Sequence, residues 1–197
     1  SEQKYIEVMA KEPTARNTWA PEIIYDEKGK QFLIFWSTTI PGRFPSTESA
    51  GDNAYNHRIY AVTTKDFRNF SETSLFYDKG FNVIDATIIK DKKKYVMFVK
   101  DETRTPPQKN IRVTTSGSLY GPYSAPSGPI TGSYWAEGPT AVRIGGWWYL
   151  HCAPAKCPPA QKPSLRGSSD RLHRLRTRRR VSVSLQRGRA VGHAFAG

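Results

Sequence analysis

Apolar and polar positions alternate along the first 150 residues in short runs, each closed by turn-forming residues. Ala20 to Tyr25 is the first run, stopped by Asp26-Glu27-Lys28-Gly29. Gln31 to Thr39 follows, rich in aromatic and β-branched side chains. His57 to Thr64 alternates, and Leu75 to Tyr77 is a short fourth run. The order then recurs: Ala86 to Lys90, the turn Asp91 to Lys93, Tyr95 to Lys100, Ile111 to Thr115, and a short run near Tyr123. It opens a third time with Thr140 to Ile144, the turn Gly145-Gly146, and Trp147 to Leu150. Ile24, Ile89 and Val142 hold equivalent places, 65 and 53 residues apart. Period-two spacing puts successive side chains on opposite faces of a strand, and no segment keeps helical spacing.

Four short strands repeated every 50–65 residues read as propeller blades. A sandwich or barrel also uses many short strands, but the recurring order of strand, acidic or glycine turn and aromatic strand favours the propeller. The prediction is an all-β fold: a partial β-propeller over residues 1–150, with about two complete blades plus parts of two others. Such a piece exposes strand edges and apolar blade faces, so self-association through those edges is expected.

Composition changes this picture only after Leu150. Residues 151–197 carry 11 Lys and Arg against one acid, Asp170, and hold one aromatic, Phe195, of the 24 in the chain. Whole residue types (Ile, Glu, Asn, Tyr, Trp, Met) vanish there. The net charge of +13 therefore belongs mostly to the tail, which reads as a disordered or frameshifted extension. A nucleic-acid-binding arm centred on Arg174, Arg176 and Arg178 to Arg180 is the weaker reading. The aromatic content of 12% excludes a disordered chain as a whole. No apolar run reaches the roughly 18 residues of a membrane-spanning helix, and residues 1–10 show no signal-peptide pattern. Cys152 and Cys157 beside His151 do not make up a four-ligand zinc set, so neither a metal nor another cofactor is expected.

Two carboxylates stand apart from those in turns. Asp85 lies in Val83-Ile84-Asp85-Ala86-Thr87, where the first strand of one blade begins. Glu137 lies in Trp135-Ala136-Glu137-Gly138-Pro139, at what reads as the matching point of the next blade. First strands of blades line the central channel, so both side chains would converge at one mouth. Paired carboxylates near aromatic residues suit glycoside hydrolysis, in which a carboxylic acid protonates the leaving oxygen. Burial or a neighbouring carboxylate can keep such a group protonated near neutral pH. Trp135 could wall the site, and Trp19 could stack on a sugar ring. Glu22 and Arg58 are further candidates for substrate contact. Strand or turn roles compete at each of these positions.

The ordered set Trp19-Ala20-Pro21-Glu22, Asp85-Ala86-Thr87 and Glu137-Gly138-Pro139 resembles glycoside hydrolase family 43. Asn56-His57-Arg58-Ile59-Tyr60 followed by Thr63-Thr64-Lys65-Asp66-Phe67 fits the same blade pattern. The resemblance covers roughly residues 1–150 and implies an internal fragment of a five-bladed propeller of the arabinosidase and β-xylosidase kind. It further implies an inverting reaction on arabinose- or xylose-containing saccharides, with Glu137 as general acid and Asp85 as the modulator of its pKa. Substrate-binding roles fall to Trp19, Glu22, Arg58 and Trp135. It also implies an extracellular or periplasmic setting. The family carries its general base in an Asp-Pro segment ahead of the Trp-Ala-Pro motif, whereas no Asp precedes Trp19 here. The chain as given is therefore expected to be inactive or nearly so. A non-catalytic carbohydrate-binding module is the rival reading.

Overall fold

Turn chemistry divides the chain into antiparallel hairpins. Asp26 makes the first: its Oδ1 accepts the Lys28 N–H at 3.1 Å, closing the turn between β1 (Trp19–Asp26) and β2 (Gln31–Thr39). A single helical turn, α1 (Pro45–Glu48), leads to β3 (His57–Thr64) and β4 (Ser74–Tyr77). These four strands form one sheet in the order β1-β2-β3-β4. The next blade is β5 (Val83–Asp91), β6 (Lys94–Asp101) and β7 (Asn110–Ser116), in that order. The third begins with the hairpin of β8 (Ala136–Ile144) and β9 (Trp147–Pro154). The computed structural model describes residues 6–132, 134–144, 147–154, 173–176, 180–184 and 191–196.

The alternation read from the sequence decides which blade each side chain serves. On β6, Met97 and Val99 face the first blade and pack with Leu33, Phe35, Ile59 and Ala61. Phe98, between them, faces the other way and packs with Ile111, Ala136, Leu150 and Cys152. One strand thus contributes to two cores, which is what stacking sheets face to face requires. On β2, Trp36 belongs to a third cluster with Ile40, Tyr60 and Val62, covered by Val8 and Met9 of the N-terminal segment. The result is a partial propeller, as the repeat predicted.

Two details differ from the sequence reading. The run near Tyr123 is not a strand. It follows β7 with backbone bonds from Ser124 to Thr115 (2.9 Å), Ser127 to Val113 (2.8 Å) and Ile130 to Ile111 (2.8 Å). Pro122, Pro126 and Pro129 lack the N–H donors a regular ladder needs. The first strands of the blades also begin earlier than predicted, so Asp85 and Glu137 lie inside strands rather than at their starts.

In the basic tail, β10 (His173–Arg176), β11 (Arg180–Ser184) and β12 (Val191–Ala196) extend the third sheet in the order β10-β11-β12-β9-β8. Val191 to Ala196 pairs antiparallel with Cys152 to Trp147. Cys157, Arg178 and Arg179 lie outside the described residues.

Candidate active site

The first strand of each blade carries the same irregularity. The β1–β2 register shifts between Trp19 and Glu22, the β5–β6 register between Ile84 and Thr87, and the β8–β9 register between Glu137 and Thr140. In each case three steps along the first strand oppose two along its partner, the signature of a bulge with one extra residue. The second residue of each bulge has left-handed backbone: Ala20 at φ 50°, Asp85 at 54° and Gly138 at 55°. That conformation costs a non-glycine residue about 1–2 kcal/mol. The three bulges, with Glu22, line one shallow groove where the blades meet.

This alignment corrects one expectation. Asp85 and Glu137 are not equivalent positions. Asp85 matches Gly138, and Glu137 matches Ile84. The two carboxylates are nevertheless brought together across the blade boundary. The Gly138 N–H donates to Asp85 Oδ2 at 3.0 Å, so Asp85 grips the residue that follows Glu137. Burial raises the Asp85 carboxyl above the ordinary carboxylate range; the charges of Glu137 and Glu102 add to this, while the Gly138 N–H and Lys100 oppose it. Glu22, partly buried in the groove, is raised by burial as well, against the Ile23 N–H.

Glu137 itself is half-exposed, and its Oε1 meets Lys100 Nζ at 2.8 Å. Lys100 lies on β6 opposite Ile84, next to the bulge that carries Asp85. Its ammonium is buried yet sits above its ordinary value. Burial pulls it down, but Glu102 and Glu137 outweigh that.

The remaining sequence candidates separate. Trp19 is 45% exposed at the groove's edge, with its ring 4.7 Å from Tyr55 and 5.4 Å from His57. Trp135 does not wall Glu137 with apolar surface alone: Arg104 stands 5.2 Å and Lys109 5.8 Å from its ring. Arg58 is placed away from the carboxylates. Its side chain is 1% exposed, bonds Asp78 at 2.6 Å, and donates to Asn56, the His57 carbonyl and Thr47. So placed, its guanidinium braces β3 and the loop around α1, with four of its N–H groups given to protein oxygens.

Sequence reasoning missed His57 and Lys100. His57 is buried, and Asn82 Oδ1 accepts both its backbone N–H (2.7 Å) and its Nδ1 proton (3.1 Å). Burial pulls the imidazole down to about 4, against the Asn82 bond and Glu102, so it is neutral at pH 7. For Lys100 the available signal is a lysine ending the apolar run Tyr95 to Val99, directly before Asp101 and Glu102.

Known proteins share both sequence and fold with this chain. An alpha-L-arabinofuranosidase of Bifidobacterium longum subsp. longum is 33% identical over 98 residues, 46% of this chain and 9% of that protein's length. The fold is similar to that of an exo-1,5-alpha-L-arabinanase from a bovine ruminal metagenomic library, with a TM-score of 0.53 and 14% identity. That likeness covers 95% of this chain and 76% of the arabinanase. A family 117 glycoside hydrolase from the marine bacterium Zobellia galactanivorans is similar at a TM-score of 0.53 and 13% identity, over all of this chain and 74% of that one. The chain thus spans less than a tenth of the arabinofuranosidase it matches and about three quarters of each of these two structures. Residues 1–152 match a family-43-related glycosyl hydrolase model whose description reads "Probable glycosyl hydrolase domain", and the chain belongs to that family.

Proposed function

We propose that this domain carries the acid half of an inverting hydrolysis of arabinose- or xylose-containing saccharides. Glu137 gives its proton to the glycosidic oxygen as the bond to the anomeric carbon breaks. Water attacks that carbon from the opposite face of the ring and loses its proton to a base. Asp85 fixes the acid's place through the Gly138 N–H, and burial raises its own carboxyl above the ordinary carboxylate range. The observation that carries the reading is this 3.0 Å bond between a strained aspartate and the backbone next to Glu137. The arabinofuranosidase relative supports the sugar class.

Glu22, which lines the groove with Asp85, lies in the Trp-Ala-Pro segment and not in an Asp-Pro context. Glu12, ahead of it, is tied to Arg43 at 2.8 Å. The base is therefore proposed to come from neither, leaving the chain able to bind substrate and poor at turning it over. Loss of a positioned base costs about 10²–10⁴-fold. The exposed Ile23 and Tyr25 on β1 and Val142 and Tyr149 on the β8–β9 hairpin are the faces through which copies would associate.

The test pairs calorimetry on arabino- and xylo-oligosaccharides with turnover of aryl arabinosides and xylosides. Expected are binding and weak turnover that Glu137→Gln abolishes. Fast turnover abolished by Glu137→Gln keeps the acid and overturns the missing base. Binding without any product at high enzyme favours the non-catalytic module. Turnover that survives Glu137→Gln overturns the acid assignment.

A further inference from the structure

Lys100 is a buried ammonium, 4% exposed along its side chain, on a strand whose neighbours Phe98 and Val99 are core residues. It meets two carboxylates, Glu102 at 2.5 Å and Glu137 at 2.8 Å. Glu102 also pairs with Lys109, whose side chain is as deeply buried, and Lys109 reaches Asp52 at 3.3 Å. Lys109 holds the strand leading to Glu137 in a second way: its carbonyl accepts the Ala136 N–H at 2.9 Å. The series Lys100–Glu102–Lys109 therefore meets residues 135–137 at three points: the Trp135 ring, the Ala136 N–H and the Glu137 carboxylate.

Stability is a weak ground for this arrangement. A buried ion pair is often matched or bettered by apolar side chains of the same volume. The chain lies instead against the one carboxylate that must face a substrate. Glu137 has a long side chain, half in water, with three rotatable bonds. Without a partner it would sample many directions, and proton transfer needs one, within about 2.6–3.2 Å of the receiving oxygen.

We propose that Lys100 is the positioning residue for Glu137: clamped by Glu102, it holds one oxygen of the half-exposed Glu137 carboxylate and leaves the other to meet substrate. This rests on the reading of Glu137 as the acid for its purpose, but not for its detection.

Two measurements on the full chain test it, neither using a substrate. The first is the ¹⁵Nζ resonance of Lys100 in lysine-labelled protein, assigned by its loss in Lys100→Arg. Glu137→Gln, at a half-exposed site, should shift this signal and speed its hydrogen exchange. An unchanged signal overturns the proposal. The second is the side-chain order of Glu137 from ¹³C relaxation. It should drop to the flexible range, an order parameter of about 0.6 or below, in Lys100→Met and recover in Lys100→Arg. A folded Lys100→Met with unchanged Glu137 order overturns it. If Lys100→Met does not fold, the Lys100 signal in Glu137→Gln decides alone. A chain that shows no turnover leaves both readouts standing, so failure of the hydrolase reading and failure of the brace are told apart.

Discussion

The bulge at Trp19-Ala20-Pro21-Glu22 and the bulge at Ile84-Asp85-Ala86-Thr87 have the same backbone and different chemistry. Each inserts one extra residue at the same place in a blade's first strand, and each holds its second residue at a φ near 50°. One offers a methyl group there, the other a carboxylate bonded across the blade boundary to Gly138. The difference shows that the backbone of this site is a property of the repeat. The reactivity is a property of single residues set into it. Ala20 holds this backbone without a carboxylate bonded across the blade boundary, so the left-handed turn does not depend on that charge.

Substitution can copy one bulge into the other. The largest effect is expected at the carboxylates themselves. Asp85→Ala should lower turnover by about 10²-fold or more, while Glu22→Gln, in the bulge without a left-handed carboxylate, should change it less; steady-state rates on aryl arabinosides compare the two. Asp85→Ala should also keep the fold, since Ala20 already occupies the same backbone.

A second test concerns pH. The raised Asp85 carboxyl keeps its proton in the folded state at pH values where the unfolded chain has lost it. The folded state then binds more protons, so stability falls as pH rises from the ordinary carboxylate value to the raised one. His57 acts in the opposite direction. Its folded value of about 4 lies below the ordinary 6.5, so the unfolded chain takes up the proton first and stability is lost as pH falls from about 6.5 to about 4. The full loss is about 3 kcal/mol. The two windows overlap from about pH 4 upward, so melting curves across pH 4–8 should show the rise in stability with pH flattened in His57→Gln and steepened in Asp85→Asn.

The smallest effects test the backbone alone. Gly138→Ala places a Cβ in open space but at φ 55°, and should cost about 1 kcal/mol, which lowers Tm by about 2–4 °C. Ala20→Gly should return up to about 1 kcal/mol, as relief of the same strain. Equal and opposite shifts in thermal melting would establish that the two bulges are energetically alike; a Gly138→Ala loss several times larger would show that the bond to Asp85 is being disturbed.

Much of this arrangement was legible in the sequence, for reasons that particular residues make clear. The alternation around Phe98 and the equivalence of Ile24, Ile89 and Val142 gave strands and blades, because burial of alternate faces leaves a period-two trace. Those same offsets of 65 and 53 residues already pair Asp85 with Gly138. Matching Asp85 to Glu137 by chemical type, one position off, hid this. The bulges left no compositional mark, since Ala, Asp and Gly share no property except tolerance of, or coercion into, a left-handed turn. Arg58 was legible as a cation but not as a buried one, because its partner Asp78 is 20 residues away. Lys100 left a local signal beside Glu102, but its pairing with Glu137 was hidden because that carboxylate comes from another blade, 37 residues on.

The left-handed position also bears on how such a site can arise. A blade copied within a propeller arrives with its bulge built and its channel-facing residue already turned. The three residues found there, Ala20, Asp85 and Gly138, belong to codon families that interconvert by one change at the second base. A duplicated blade can therefore gain or lose a carboxylate at this position in a single mutational step, on a backbone that already aims it.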